Sequence, residues 1–354
     1  DGSNSQAYTE ISNEAIKKLI DEVGRGNRVW LNARGTGDET RFVFTLPADG
    51  MAYLAVLSGS LGLSTPLFDV VLDAGAVADL AGSSNAQIRI VIEMVDGNPS
   101  VTILVDGQRV EIINGYLIVF MDMEDTGSGT VAVIHHEDGS TSLVKLSWAG
   151  GGRMVIPLKG SCVFSIMDNT QSFNDIQNHW AKGYIQFVAA RSLFQGTGAN
   201  RFSPALGMTR GMIVTVLGRL CDVIAEQYTG QSFKDVDLDA FYARYVEWAA
   251  RNGIVRGNGQ GSFFADAYVT REQLAVILYN FLQYLGLELN EQNSGEHSFA
   301  DAGDISGFAK EAVMAMYRAG VINGKNGNVF DPQGIASRAE VAAMLERLIR
   351  AIKW

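Results

Sequence analysis

The C-terminal half of this 354-residue chain is a single unit of about sixty residues written three times. The copies begin at Ser172 (SFNDIQNHWAKG), Ser232 (SFKDVDLDAFYA) and Ser298 (SFADAGDISGFA). Each opens Ser-Phe-x-Asp, which places Asp175, Asp235 and Asp301 at one position. An aromatic followed by alanine comes next: Trp180-Ala181, Tyr242-Ala243 and Phe308-Ala309. A glycine then follows a short apolar stretch, at Gly196, Gly257 and Gly324. A hydroxyl-arginine pair opens the second helical pattern: Thr209-Arg210, Thr270-Arg271 and Ser337-Arg338. The arginines and the glycines both step by 61 and then 67 residues, so the extra residues fall in the polar linker 290–296, outside the unit.

Each unit reads as helix, glycine loop, helix. In the second, Tyr245, Trp248, Ala249 and Asn252 follow helical spacing, and Gly253 is placed to end that helix. Thr270 is a good N-cap, and Glu272 and Gln273 sit in the first turn, where the helix dipole favours acid. Leu274, Ile277, Leu278 and Phe281 make one apolar stripe; Ser337 with Val341, Met344, Leu345 and Leu348 repeats the pattern. One helical hairpin cannot bury such a face alone, but three together can. A pseudo-threefold bundle is the expected closed solution.

These residues carry a resemblance. The pattern F-x-D, W-A, G-x-x-x-G, F-x-P and T-R-A-E resembles the S-layer homology domain, which usually occurs in threes; the likeness covers 172 to about 349. It implies a three-pronged helical spindle with grooves between the prongs. It also implies non-covalent attachment of an exported bacterial protein to an anionic secondary cell-wall polysaccharide, in well-known cases pyruvylated. By this resemblance each groove would take Arg210, Arg271 or Arg338, with the opening aspartates, the aromatics Trp180 and Tyr242, and Gly196, Gly257 and Gly324 completing the sites.

The chemistry of such a ligand agrees. A carboxylate on a sugar suits the fork of an arginine, and an aromatic face suits the ring. Residues 171–354 hold 12 Arg and 5 Lys. Each assignment has a structural rival: the aspartates could cap turns, the aromatics could be core, the glycines could serve helix ends, and the arginines could pair with acids of a neighbouring repeat. The copies also diverge. The first reads Thr209-Arg210-Gly211-Met212 and has Ser192 where the others have Gly253 and Gly320. The second has Tyr242 for tryptophan and Ala265-Asp266 for proline. Three equal sites are therefore not expected.

Charge is uneven: residues 1–170 hold 11 Lys+Arg against 21 Asp+Glu, and residues 171–354 hold 17 against 18. With no basic field, nucleic acid is disfavoured as a partner. No run reaches the ~18 apolar residues of a membrane span, and no signal peptide is visible. The chain opens on DGSNSQ without a methionine, as a mature or excised fragment would. Cys162 and Cys221 fall in different modules, which predicts no disulfide.

The first 170 residues read as strand-rich. A helix is expected over 13–23, short helices near 52–57 and 74–80, and strands over 28–33 and 41–46 on either side of Gly35-Thr36-Gly37-Asp38. Ile88, Ile90, Ile92 and Met94 share one strand face, and Asp106-Gly107 and Asp138-Gly139 are hairpin turns. Gly150-Gly151-Gly152 turns into a strand, and 162–167 is the last one. A break between modules is expected near Asp96–Pro99. The stretches VVLDAGAVADLAGS and VTILVDGQRVEII resemble a β-rich segment that precedes S-layer homology repeats in Firmicutes surface proteins.

This half offers little catalytic chemistry. His135-His136 on a strand point to opposite faces; Asp122, Glu124 and Asp125 read as a solvated loop rather than a calcium site; no HExxH, GxSxG or P-loop occurs. We therefore expect a multidomain chain with an N-terminal β-rich (α+β) half and a C-terminal all-α pseudo-threefold half. Its boundaries are expected at 1–96, 97–170, 171–229, 230–297 and 298–354. The expected function is wall anchoring outside the cell, with no catalytic residue, cofactor or metal, and with the wall polymer and copies of itself in a surface layer as partners. The alternative is an anchored carbohydrate-active enzyme with its site in residues 1–170 or upstream.

Overall fold

The computed structural model describes residues 5–35, 37–82, 86–124, 126–293 and 299–354. Thr36, Asp125, Ser298 and linker residues 294–296, named above, lie outside them. The chain divides into two compact units, one made of residues 1–126, 130–168 and 354, the other of 127–129 and 169–353.

The first unit runs β1 (Gln6–Glu10), α1 (Asn13–Val23), β2 (Arg28–Asn32), β3 (Arg41–Pro47), α2 (Ala48–Val56), β4 (Ser60–Ser64), β5 (Asp69–Leu72), α3 (Ala74–Ala81), β6 (Gln87–Val95), β7 (Asn98–Val105), β8 (Gln108–Arg109), β9 (Leu117–Asp122), β10 (Thr130–His135), β11 (Thr141–Val144), β12 (Trp148–Gly150), β13 (Arg153–Leu158) and β14 (Cys162–Asp168). One sheet has the order β1-β3-β6-β7-β14-β10-β11, with β8 paired to β7; the other has β12-β13-β9-β5-β4-β2. Two pairs are parallel, β1 with β3 and β2 with β4. Parallel neighbours need a crossover rather than a tight turn, and α1 and α2 lie within those two crossovers.

Alternation along the strands supplies the core. Phe42, Phe44 and Leu46 of β3, Ile88, Ile90 and Ile92 of β6, Leu117 and Val119 of β9, and Met154 and Ile156 of β13 meet in one buried cluster. Ile16 and Ile20 of α1, Met51 and Leu54 of α2, and Val77 and Leu80 of α3 join it. Each such side chain contributes roughly 1.5–3 kcal/mol on burial. The strands flanking Gly35 fall in different sheets, β2 in one and β3 in the other. The stretch Asp96–Pro99, where a module break was expected, holds instead the turn between β6 and β7. Asp96 and Gly97 there adopt φ 49° and 79°, and Val95 pairs with Asn98. Asp106-Gly107 turns β7 into β8 with the same geometry, and Asp138-Gly139 lies between β10 and β11.

Among its described residues the second unit holds six α-helices: α4 (Lys182–Ala190), α5 (Arg210–Leu220), α6 (Ala243–Arg251), α7 (Arg271–Leu285), α8 (Lys310–Arg318) and α9 (Arg338–Ala351). Thr209, Thr270 and Ser337 are the N-caps of α5, α7 and α9; each hydroxyl accepts from the N–H of the third helical residue. Gln273 and Glu340 complete capping boxes, whereas Met212 at that place in α5 cannot. Gly253 and Gly320 take left-handed φ of 70° and 71°, and Ser192 takes 56° at the same place.

The helices pair across repeats: α5 with α6, α7 with α8, and α4 of the first repeat with α9 of the last. The backbone closes a ring in the same region. Met208 N–H donates to the Ala336 carbonyl at 2.9 Å, Ala336 N–H to Val269 at 3.0 Å, and Val269 N–H to Met208 at 2.9 Å. Each repeat therefore depends on both others for its hydrogen bonds.

Candidate functional site

The three opening aspartates do the same work in each repeat. Asp175 accepts from Phe202 and Ser203 N–H, Asp235 from Phe263 and Phe264, and Asp301 from Phe330 and Asp331, at 2.7–2.8 Å. The second donor residue is left-handed in every case, with φ of 57° at Ser203, 58° at Phe264 and 57° at Asp331. A side chain at such a φ is unfavourable, and the carboxylate holds it there. Burial pushes these carboxyls up, but the backbone N–H bonds together pull harder and leave each below its ordinary value. Of the loop glycines, Gly257 and Gly196 are packed too closely for a side chain, whereas a Cβ at Gly324 would meet nothing nearer than 3.4 Å. At Gly257 a Cβ would lie 2.5 Å from the Ser262 carbonyl oxygen and 2.6 Å from the Phe233 ring.

The arginines reach across the repeat boundaries in a cycle. Arg210 Nε donates to the Phe263 carbonyl at 2.9 Å and Nη2 to Arg256 at 3.1 Å, both in the second repeat. Arg271 donates likewise to Phe330 and Asn323 of the third, and Arg338 to Phe202 and Gln195 of the first. Each guanidinium also lies over a phenylalanine, Arg210 over Phe263 at 4.4 Å and Arg338 over Phe202 at 4.4 Å.

The three differ in what surrounds them. Arg271, with its side chain 3% exposed, meets Glu340 at 2.7 Å. Burial lowers its pKa, and Glu340 opposes that. Arg338 is pushed down to about 10 by burial, with Asp175 opposing, and Phe194 lies 5.2 Å over it as well. Arg210 is half-buried, and no salt bridge is found for it among the described residues. Burial lowers its pKa and Asp235 opposes.

The aromatic position corrects the sequence alignment. Helices α4, α6 and α8 begin after Ala181, Tyr242 and Ala309, whose carbonyls accept from Ile185, Val246 and Val313. Tyr242 is thus the counterpart of buried Ala181 and Ala309. The residue equivalent to Trp180 (60% exposed) and Phe308 (64%) is Phe241 (62%). Tyr242 is buried, donates to Asp266 at 2.9 Å, and fills the space that a Cβ on Gly211 would occupy. Trp180 stands near Tyr184, which stacks under Arg347 at 5.0 Å.

An open cavity of about 570 Å³ lies at the junction served by Arg210. Arg210 and Arg256 line it, with the amides Asn258, Gln273 and Asn280 and the exposed rings of Phe264, Tyr268 and Phe308. Sequence reasoning named Arg210 and Gly257 of this set and missed Arg256, Tyr268 and Asn280. Only the carbonyl of Arg256 marks its place, because the other repeats have Gln195 and Asn323 there.

The S-layer homology domain family model matches residues 172–211, 232–275 and 298–342. The chain carries three tandem S-layer homology domains. Curated relatives agree. An exoglucanase XynX of Acetivibrio thermocellus is 32% identical over 244 residues, 68% of this chain and 22% of that protein. An amylopullulanase of Thermoanaerobacterium thermosulfurigenes is 32% identical over 186 residues, 52% of this chain and 10% of the relative. A cellulosome-anchoring protein of Acetivibrio thermocellus is 25% identical over 150 residues, 41% of this chain and 33% of its own length. This chain thus spans a tenth to a third of these relatives. The exoglucanase match is longer than the stretch from residue 172 to the end, so part of that likeness precedes the S-layer homology domains. The protein is a cell-surface, cell-wall-associated protein.

Elsewhere, His135 bonds Ser165 and His136 bonds Ser142, and Asp122 pairs with Arg153 at 3.2 Å. No helix among the described residues is long and apolar enough to cross a membrane.

Proposed function

We propose that the S-layer homology domains form a pseudo-threefold trio that anchors the protein by binding an acidic secondary cell-wall polysaccharide at the Arg210 junction. The cyclic arginine contacts and the closed backbone ring support the threefold arrangement. The cavity carries the binding reading. It brings Arg210 and Arg256, the amide residues Asn258, Gln273 and Asn280, and three exposed rings to one space of about 570 Å³. A sugar carboxylate would take the Arg210 and Arg256 forks, the ring C–H face would lie on Tyr268 or Phe308, and hydroxyls would meet Asn258 and Asn280. Aspartates 175, 235 and 301 support the loops from behind, and glycines 196, 257 and 324 let those loops close.

Residues 1–170 then act as a non-catalytic spacer, adhesion or lattice module. A second reading has one observation behind it: two relatives are named for hydrolysis of glucans, and this chain spans 10–22% of them. On that reading the chain is the wall anchor of a carbohydrate-active enzyme whose catalysis lies outside it. Hydrolysis of wall or plant polysaccharide by the 354-residue chain itself would contradict both.

Titration of isolated wall polymer into Arg210→Ala and Arg256→Ala tests the site. Loss of a charge-assisted contact predicts binding about ten- to a hundredfold weaker. Unchanged affinity in both would sink the proposal.

A further inference from the structure

We infer that Glu340 is an internal carboxylate that closes the Arg271 junction to acidic sugars, and that Gln273, at the same helix position, keeps the Arg210 junction open. The inference rests on the reading that an acidic sugar binds beside Arg210.

Both residues are third in their helix, and both complete a capping box. The box needs one side-chain oxygen. Gln273 uses Oε1 to accept from Thr270 N–H at 3.3 Å, and Glu340 uses Oε2 to accept from Ser337 N–H at 2.9 Å. The difference lies in the atom left over. In Glu340 it is Oε1, which accepts from Arg271 Nη1 at 2.7 Å and lies 3.7 Å from Lys325 Nζ. In Gln273 it is an amide nitrogen, a donor, which cannot accept from a guanidinium. Glu340 thus occupies the place where a ligand carboxylate would meet the arginine. Lys325 is held in addition by Asp331 at 2.6 Å. The second junction therefore answers its own cations, whereas Arg210 lines an open cavity and has no salt bridge among the described residues.

The third junction is closed differently. Met212 supplies no acceptor, but Phe194 lies over Arg338, where the other junctions have the smaller Val255 and Ile322. One strong site per chain follows. A single atom at one helix position, oxygen or nitrogen, then decides which junction takes the anion.

The test exchanges that atom without removing either cap, since glutamine and glutamate both complete the box. An N-acetylhexosamine bearing a pyruvate ketal is titrated calorimetrically into the whole chain and its variants, with urea unfolding as the check on folding. Wild type binds one equivalent. Glu340→Gln gains a second equivalent. Gln273→Glu, which gives Arg210 an internal partner, binds at least tenfold more weakly, and the double exchange restores one site. Two or three equivalents in wild type, or one in Glu340→Gln, would overturn the inference while leaving the anchor reading intact. Undiminished binding by Gln273→Glu overturns it independently of how Glu340→Gln folds. No binding by wild type or by Glu340→Gln defeats the groove reading itself, and the inference with it.

Discussion

At the scale of the residue, three arginines aligned by sequence turn out to have unlike surroundings. Arg271 is sealed beside Glu340, so its removal would leave Glu340 Oε1 with only Lys325 at 3.7 Å and take a donor from each of two carbonyls. Arg271→Ala is expected to destabilise the protein by about 3 kcal/mol, read from the urea midpoint, whereas Arg256→Ala, exposed, should stay within about 0.5 kcal/mol. The aspartate clamps give a pH dependence. Their carboxyls titrate below the ordinary range when folded. The stabilisation is therefore complete above the unfolded carboxylate value of about 4 and is lost as pH falls through the folded values. Melting temperature should hold from pH 7 to 5 and drop below about pH 4; no drop would mean that the clamps are not coupled to folding. The sequence showed that these residues recur. It could not say which face of each junction is open, because that depends on Gln273, Glu340 and Phe194, which come from other elements.

At the scale of the element, helix starts and ends were legible because their chemistry is local. Thr209, Thr270 and Ser337 cap as their side chains require, and Ser192 bends as glycine does elsewhere. The aromatic position misled because Phe241-Tyr242 offers two rings where the other repeats have one ring and an alanine. Only the packing of α5 on α6 resolves it, through the missing Cβ of Gly211. Gly211→Ala would put a methyl 2.7 Å from the Tyr242 ring. We expect it to cost about 1–3 kcal/mol. Tyr242→Ala added to it should cost less than the sum of the two single changes, since the corresponding positions of the paired helices α9 and α4 hold alanine, at Ala339 and Ala181. Additive costs in a double-mutant cycle would deny the contact. In the first unit the Asp-Gly turns at 106 and 138 were readable, whereas the one at Asp96-Gly97 read as a module break. Strands β5 and β9 were not readable, since short buried runs such as DVVL and LIVFMD carry no alternation to distinguish strand from helix.

At the scale of the whole molecule, the S-layer homology domains form a closed set rather than a string. Arg338 serves the loop of the first repeat, and α9 packs on α4. A chain ending at residue 297 should therefore lose the cooperative transition of the second unit altogether, seen by calorimetry. Survival of a two-repeat transition at the wild-type temperature would contradict that closure. Neither helical periodicity nor motif spacing specified which repeat neighbours which; the ring of Met208, Val269 and Ala336 bonds does. On the proposed function, this closed set holds the protein to a wall polymer. Sedimentation of the full chain with purified cell-wall sacculi, native and stripped of their non-peptidoglycan polymer, tests it most directly. The account predicts binding to native sacculi and none after stripping. Equal binding to both, or to neither, would contradict it.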